Sequence, residues 1–248
     1  MSVFEGPTAE RHLPSTSVDV FDPPTNKWTK AAPNKSPRSD ACAAAVGGKL
    51  YIAGGWTTDY TETLGSVEVY DPKTNSWSFL SSNMSIPRGD CECAAVDDRY
   101  FYIIGGVDDN GFSSVVEAYD TQEGTWARRA DMKTPRGDFA AEALPGGRII
   151  VMGGETNNGT MDHTEFAQHA VEEYIADIDV WIAKAPLPEA RFRFDTAHVR
   201  ESVFVFGGAP TCSSGNSTDK PVCVSVGLDT TWGYFDIPGP ALFSIAKA

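Results

Sequence analysis

Apolar residues in this chain come in short runs of four to seven, rich in Val, Ile, Tyr and Phe, and each run stops at Gly, Pro, Asn or Asp. Runs of that length and composition are strands, and the residues that bound them are turn formers. Four runs are built alike: Leu50-Tyr51-Ile52-Ala53, Phe101-Tyr102-Ile103-Ile104, Ile149-Ile150-Val151-Met152 and Val203-Phe204-Val205-Phe206. Each ends in a glycine pair: Gly54-Gly55, Gly105-Gly106, Gly153-Gly154 and Gly207-Gly208, at intervals of 51, 48 and 54 residues. Alternation is clear in Ser66-Val67-Glu68-Val69-Tyr70, where Val67 and Val69 face one way and Glu68 the other. Only residues 164–176 can be read as a helix. The pattern predicts an all-β chain: a sandwich, a barrel or a propeller.

Two further features repeat in phase with the glycine pairs. An aromatic stands seven residues before a tryptophan at Phe21/Trp28, Tyr70/Trp77, Tyr119/Trp126 and Tyr174/Trp181. Trp232 continues that series, with Ser225 in place of the aromatic. Ahead of the glycines lie Pro37-Arg38-Ser39-Asp40, Pro87-Arg88-Gly89-Asp90 and Pro135-Arg136-Gly137-Asp138, with a fourth copy degraded to Arg193-Phe194-Asp195. Each unit then reads as four strands: a, small-residue rich, as in residues 41–46; b, ending in the glycine pair; c, alternating; and d, starting at the tryptophan. The residue two before each tryptophan (Asn26, Asn75, Gly124 or Asp179) is of a type that tolerates a left-handed turn. The glycine pair fits a point where a side chain would block close approach of a neighbouring backbone. The paired aromatics supply a body that packs on the next sheet.

Arginine, small-residue strand, Gly-Gly and Tyr-x6-Trp at about fifty residues resemble the kelch repeat, and the likeness covers nearly the whole chain. It implies a β-propeller with one four-stranded blade per repeat, stacked around an axis because a lone sheet cannot hide two apolar faces. On this basis residues 1–248 form one propeller domain. Complete blades cover about 36–81, 86–130, 134–187 and 191–237, and a fifth blade is split between 1–31 and 238–248. Gly6 lies 22 residues before Trp28, as Gly55 lies 22 before Trp77, so residues 1–6 take the place of strand b. Residues 240–246 take that of strand a. The family's usual six or seven blades leave the alternative of a fragment of a larger ring.

Composition narrows function more than fold. The 248 residues are 41% hydrophobic and 22% charged, enough for a buried core and unlike a disordered chain. Thirty-four acidic against 20 basic residues leave a net charge of −14, which disfavours nucleic acid without a local basic patch. No apolar run approaches the roughly 18–20 residues of a membrane-spanning helix, so membrane insertion is not expected. Residues 1–14 carry Glu5 and Glu10 and no apolar stretch, unlike a signal peptide. Sequons at Asn34, Asn83, Asn158 and Asn216 lean towards the secretory route; otherwise the compartment is open, the cytoplasm included.

Candidate chemistry centres on Arg38, Arg88, Arg136 and Arg193, which would circle one mouth of the ring and suit bidentate contacts with carboxylates or phosphates. The resemblance implies an acidic-peptide site there. The competing reading pairs each arginine with the aspartate two residues on (Asp40, Asp90, Asp138, Asp195) or with a neighbouring blade. The two Arg-Gly-Asp tripeptides, 88–90 and 136–138, fall inside the repeat and read as structural. Asp162, His163, Glu165 and His169 crowd a long loop but lack the metal-ligand spacing of iron-binding relatives. His12, His163, His169 and His198 do not form the copper constellation of galactose-oxidase-like proteins. Cys42, Cys91 and Cys93 read as packing thiols in strand a, and Cys212 and Cys223 as a possible disulfide closing a polar loop. The expectation is a non-enzymatic scaffold without cofactor. It would bind a protein or acidic peptide through the arginines and the loops 155–170 and 209–222. A secreted propeller enzyme or carbohydrate-binding protein is the alternative.

Overall fold

A computed structural model of the chain describes residues 14–57, 61–156, 167–200, 202–210, 212–214, 223–225 and 231–235, the last three segments by backbone alone. Strands β1 (Asp19–Asp22) and β2 (Lys27–Lys30) pair antiparallel with Phe21 opposite Trp28. Blade I is the meander β3 (Cys42–Val46), β4 (Lys49–Ala53), β5 (Val67–Asp71) and β6 (Ser76–Phe79). Blade II follows with β7 (Glu92–Val96) and β8 (Tyr100–Ile104), then a small hairpin of β9 (Val107–Asp108) and β10 (Gly111–Phe112), then β11 (Val116–Asp120) and β12 (Thr125–Arg129). Blade III comprises β13 (Ala140–Leu144), β14 (Arg148–Met152), β15 (Val171–Ile175) and β16 (Val180–Ala183). Blade IV has β17 (Asp195–Val199) and β18 (Ser202–Phe206). It carries an inserted hairpin of β19 (Cys212–Ser214) and β20 (Cys223–Ser225), and then β21 (Thr231–Phe235). The inner strands β3, β7, β13 and β17 neighbour one another in turn, so the sheets radiate from a common axis as propeller blades.

The local signals act as their chemistry requires. Asn26, Asn75, Gly124 and Asp179 all take positive φ, between 48° and 69°, in the turn that brings each tryptophan opposite its aromatic. A Cβ on Gly106 would stand 2.5 Å from the Gly89 carbonyl oxygen of the same blade, so that position must be glycine. The amides of Gly55, Gly106 and Gly154 donate to the carbonyls of Arg88, Arg136 and Arg191, at 2.8–3.0 Å. Each of these three glycine pairs is thus a seam with the next blade.

The apolar core lies between blades rather than within any one of them. Tyr51, Val67 and Val69 of blade I pack with Phe101, Ile103 and Tyr119 of blade II. Tyr102, Ile104 and Val116 pack in turn with Ile149, Val151 and Tyr174 of blade III. Burying a large apolar side chain stabilises by about 1.5–3 kcal/mol, so each blade is stable chiefly through its neighbours.

Four expectations change. Residues 171–175 form a strand rather than part of a helix, held on one side by β14 and on the other by β16. Trp232 does not start a fourth strand. It lies in β21, which pairs directly with β18, and Tyr234, opposite Val203, takes the register place of Tyr70, Tyr119 and Tyr174. Cys42 and Cys93 are not packing thiols but are joined by a disulfide between the inner strands of blades I and II. The Asn34 sequon is unsuited to glycosylation in this fold, because its buried amide donates to the Ser36 carbonyl. The segments assigned to strands b and a of a split blade, 1–6 and 240–246, lie outside the described residues.

Candidate functional site: the propeller mouth

The turns leading into the inner strands meet at one end of the axis. The amide of Asp90 donates to Asp40 O (3.1 Å), that of Asp138 to Asp90 O (3.2 Å) and that of Arg193 to Asp138 O (2.9 Å). Asp40, Asp90, Asp138 and Arg193 all have φ near +50°, so four repeats present one residue each from the same strained turn. Arg193 therefore occupies an aspartate's place in the repeat. The fourth repeat arginine is Arg191, two residues earlier, fully buried, with a guanidinium NH donating to Gly207 O at 2.7 Å. The residues after the glycine pairs, Trp56, Val107, Glu155 and Ala209, bridge to these turns, so the connections from strand b to strand c begin at the same mouth.

Three of the four arginines expected to face a partner do not; the fourth, Arg193, stands at the mouth with its side chain half exposed. Arg38, Arg88 and Arg136 are buried, and none pairs with the aspartate two residues on. Each pairs with a glutamate on strand c of its own blade: Arg38 with Glu68 at 2.9 Å, Arg88 with Glu117 at 3.0 Å and Arg136 with Glu172 at 2.7 Å. The glutamates also cap the linker that enters the blade. Glu68 accepts from the amides of Lys35 and Ser36, Glu117 from Ser85, and Glu172 from Lys133 and Thr134. Arg38 and Arg136 donate onward to the first-glycine carbonyl and to a carbonyl ahead of strand c. Burial lowers the affinity of both guanidinium groups for a proton, and the paired glutamates oppose that shift. These residues staple linker, strand b and strand c together; their side chains are closed to a partner.

The glutamates were legible as a repeated Val-Glu-x-Tyr (residues 67–70, 116–119 and 171–174), but alternation alone assigns such a glutamate to the opposite, polar face. In a propeller both faces of strand c are covered. In β21 the matching register place holds Trp232, opposite Val205. The paired aromatics also act between blades. Trp77 and Trp181 donate their indole N–H to Ala32 O and Ala130 O, both at 2.8 Å. Asn75 and Asp179 accept the amides of the same two residues, so each turn clamps one residue ahead of its blade by both its N–H and its C=O. Tyr119–Trp126 keeps its ring contact at 5.1 Å, and Trp126 reaches Ser82 O at 3.3 Å. Phe21 and Trp28, on β1 and β2, stay exposed among the described residues.

With Arg38, Arg88 and Arg136 withdrawn, acidic groups outnumber Arg193 at the mouth. Asp90 accepts the indole N–H of Trp56 at 3.1 Å, and Asp138 is paired with Arg193 at 2.7 Å. Burial, then the nearby Asp138 and Asp40, push Asp90 up to about 7; burial and Asp138 push Glu155 to about 7. Deeper along the axis, burial with Asp195 and Asp138 raises Glu92 to about 8. Beside it, Glu142 accepts from Thr196 at 3.1 Å and faces His198 Nδ1 at 3.0 Å. The acidic-peptide expectation loses most of its physical basis here, because Arg38, Arg88 and Arg136 are consumed inside the blades and Arg193 is paired with Asp138.

Other expected sites lie elsewhere. Among the described residues no three His, Cys, Asp or Glu side chains are grouped to hold a metal ion. His169 sits with Nδ1 3.0 Å from Leu187 O, while Asp162, His163 and Glu165 lie outside the described residues. In the β19–β20 hairpin Cys212 opposes Ser225 and Cys223 opposes Ser214; whether the two thiols join falls outside what is described.

Comparison with known proteins gives a consistent family pattern. Residues 1–154 match the profile of the KLHDC2/KLHL20/DRC7 Kelch-repeats domain. Mouse Kelch-like protein 15 is 30% identical over 112 residues, which is 45% of this chain and 17% of that protein. The F-box/kelch-repeat protein OR23 of Arabidopsis thaliana is 37% identical over 83 residues, 33% of this chain and 18% of its own. The alignments thus span less than a fifth of these relatives. The solved structure of YjhT superposes with a TM-score of 0.64 at 19% identity, over 81% of this chain and 74% of that one, a likeness of fold.

Proposed function

The chain belongs to the kelch-repeat family, and on that footing we propose that it is a scaffold that holds a protein partner against the propeller mouth. The observation that carries this reading is the chain of turns at Asp40, Asp90, Asp138 and Arg193. Backbone hydrogen bonds fix it, and it presents carboxylates on a rigid platform beside Trp56, Val107, Glu155 and Ala209, the first residues after the glycine pairs. A rigid scaffold under variable loops is the usual arrangement of a binding surface. The segment bound there would carry lysine or arginine. Carboxylates that burial and mutual repulsion hold above their ordinary range gain most from an incoming cation.

The test is fluorescence anisotropy with a lysine-rich and a glutamate-rich decapeptide. Wild-type protein is compared with Asp40→Asn/Asp90→Asn/Asp138→Asn, asparagine being able to keep the left-handed turn. A control with equal charge change, Asp22→Asn/Glu123→Gln/Asp177→Asn, alters the outer turns. The lysine-rich peptide should bind, weaken with salt, and lose about tenfold in affinity with the mouth triple alone. Equal binding of the glutamate-rich peptide, or equal loss in the two triples, refutes the proposal.

A further inference from the structure

Three of the five cysteines meet at the seam between the inner strands of blades I and II. Cys42 opens β3; Cys91 immediately precedes β7 and Cys93 is its second residue. Residues two apart in extended chain project to the same side, so Cys91 and Cys93 both face the neighbouring blade. Cys93 is bonded to Cys42, with Cα atoms 5.3 Å apart. Cys91 keeps a buried free thiol whose Sγ lies 3.6 Å from the Cys42 Sγ. A third sulfur in van der Waals contact with a disulfide sulfur is the arrangement from which thiol–disulfide exchange proceeds.

We infer that Cys42 is the shared half of an exchangeable covalent staple between blades I and II, held in turn by Cys93 and by Cys91. In the exchange the Cys91 thiolate attacks the Cys42 Sγ. The Cys42–Cys93 bond breaks as the Cys42–Cys91 bond forms, and Cys93 leaves as a thiolate that takes up the proton Cys91 gave away. Two electrons stay within the three sulfurs, so no oxidant or reductant is consumed. Burial pushes the Cys91 thiol up to about 12, which keeps it protonated at rest and makes the exchange depend on a transient parting of the seam. Either form ties together residues about fifty positions apart, so the seam stays covalently closed while its register partner alternates.

Peptide mapping tests this directly. The folded chain is equilibrated in a glutathione redox buffer, quenched in acid with N-ethylmaleimide and digested with trypsin. Cys42 is then carried on peptide 39–49, and Cys91 and Cys93 together on peptide 89–99. Fragmentation across Glu92 should reveal both cross-links in the wild type. Cys93→Ser should retain the link through Cys91, Cys91→Ser should retain it through Cys93, and Cys42→Ser should abolish the link between the peptides. Recovery of Cys42 and Cys91 fully alkylated from a Cys93→Ser chain with wild-type circular dichroism overturns the inference. If that variant does not fold, a wild type that yields only the Cys42–Cys93 form, or no cross-link, overturns it equally.

Discussion

Replacing Glu172 by glutamine separates a structural role for the repeat arginines from a binding role. The side chains of Arg136 and Glu172 are 0% and 3% exposed and 2.7 Å apart. Glutamine keeps the shape but removes the charge, and its amide nitrogen must confront the N–H donors of Lys133, Thr134 or Arg136. Breaking a buried pair from one side costs about 3–5 kcal/mol, because a charge is left in the interior without its counterion. In a domain of this size each kcal/mol moves the melting point by about 2–4 °C, so a fall of roughly 6–20 °C is expected. Urea denaturation followed by circular dichroism gives the free energy, and scanning calorimetry the melting point. The double variant Arg136→Met/Glu172→Leu should recover part of the loss, since it removes both charges, but not all of it, because the amides of Lys133 and Thr134 lose their acceptor. If Glu172→Gln shifted stability by less than about 1 kcal/mol, the pair would not be what holds linker, strand b and strand c together.

Two further outcomes probe the seams and the axis. Gly106→Ala should destabilise far more than Gly111→Ala. Both glycines have φ near +100°, but a Cβ at Gly106 meets Gly89 O and Cys91 Cβ, whereas nothing lies within 4 Å at Gly111; equal urea midpoints would refute the close-approach explanation. The stability of the folded protein should fall as pH rises from about 5 to 9. Glu92, Asp90 and Glu155 titrate near 8, 7 and 7 in the folded chain but near 4 when unfolded, so the folded state binds the extra protons. The stabilisation is complete below the unfolded values and is lost through the folded ones, at up to about 1.4 kcal/mol per pH unit for each proton. Urea midpoints across that range should show it, with Glu92→Gln flattening the slope near pH 8; a midpoint that rose with pH would contradict the assignment.

Much of the architecture could be read along the chain because its causes are local. A glycine pair after an apolar run, an asparagine two before a tryptophan and an aromatic seven before it each constrain a few consecutive dihedrals. Four copies in phase make a blade period unmistakable. Long-range consequences were not legible in the same way. Arg38 and Glu68 are thirty residues apart, and the pairing depends on the register of strands b and c and on burial of both faces of strand c. Arg193 looked like a repeat arginine until the hydrogen-bonded turns put it in line with Asp40, Asp90 and Asp138.

The sequence by itself determined the strands, the turns, the repeat and the kelch family, since backbone preference and hydrophobic period are properties of neighbouring residues. Tertiary structure alone decided which charges were buried, which faced the mouth, where Trp232 fell and which cysteines joined. Those outcomes depend on desolvation and on distances across blades, and both are set only when separate repeats pack against one another.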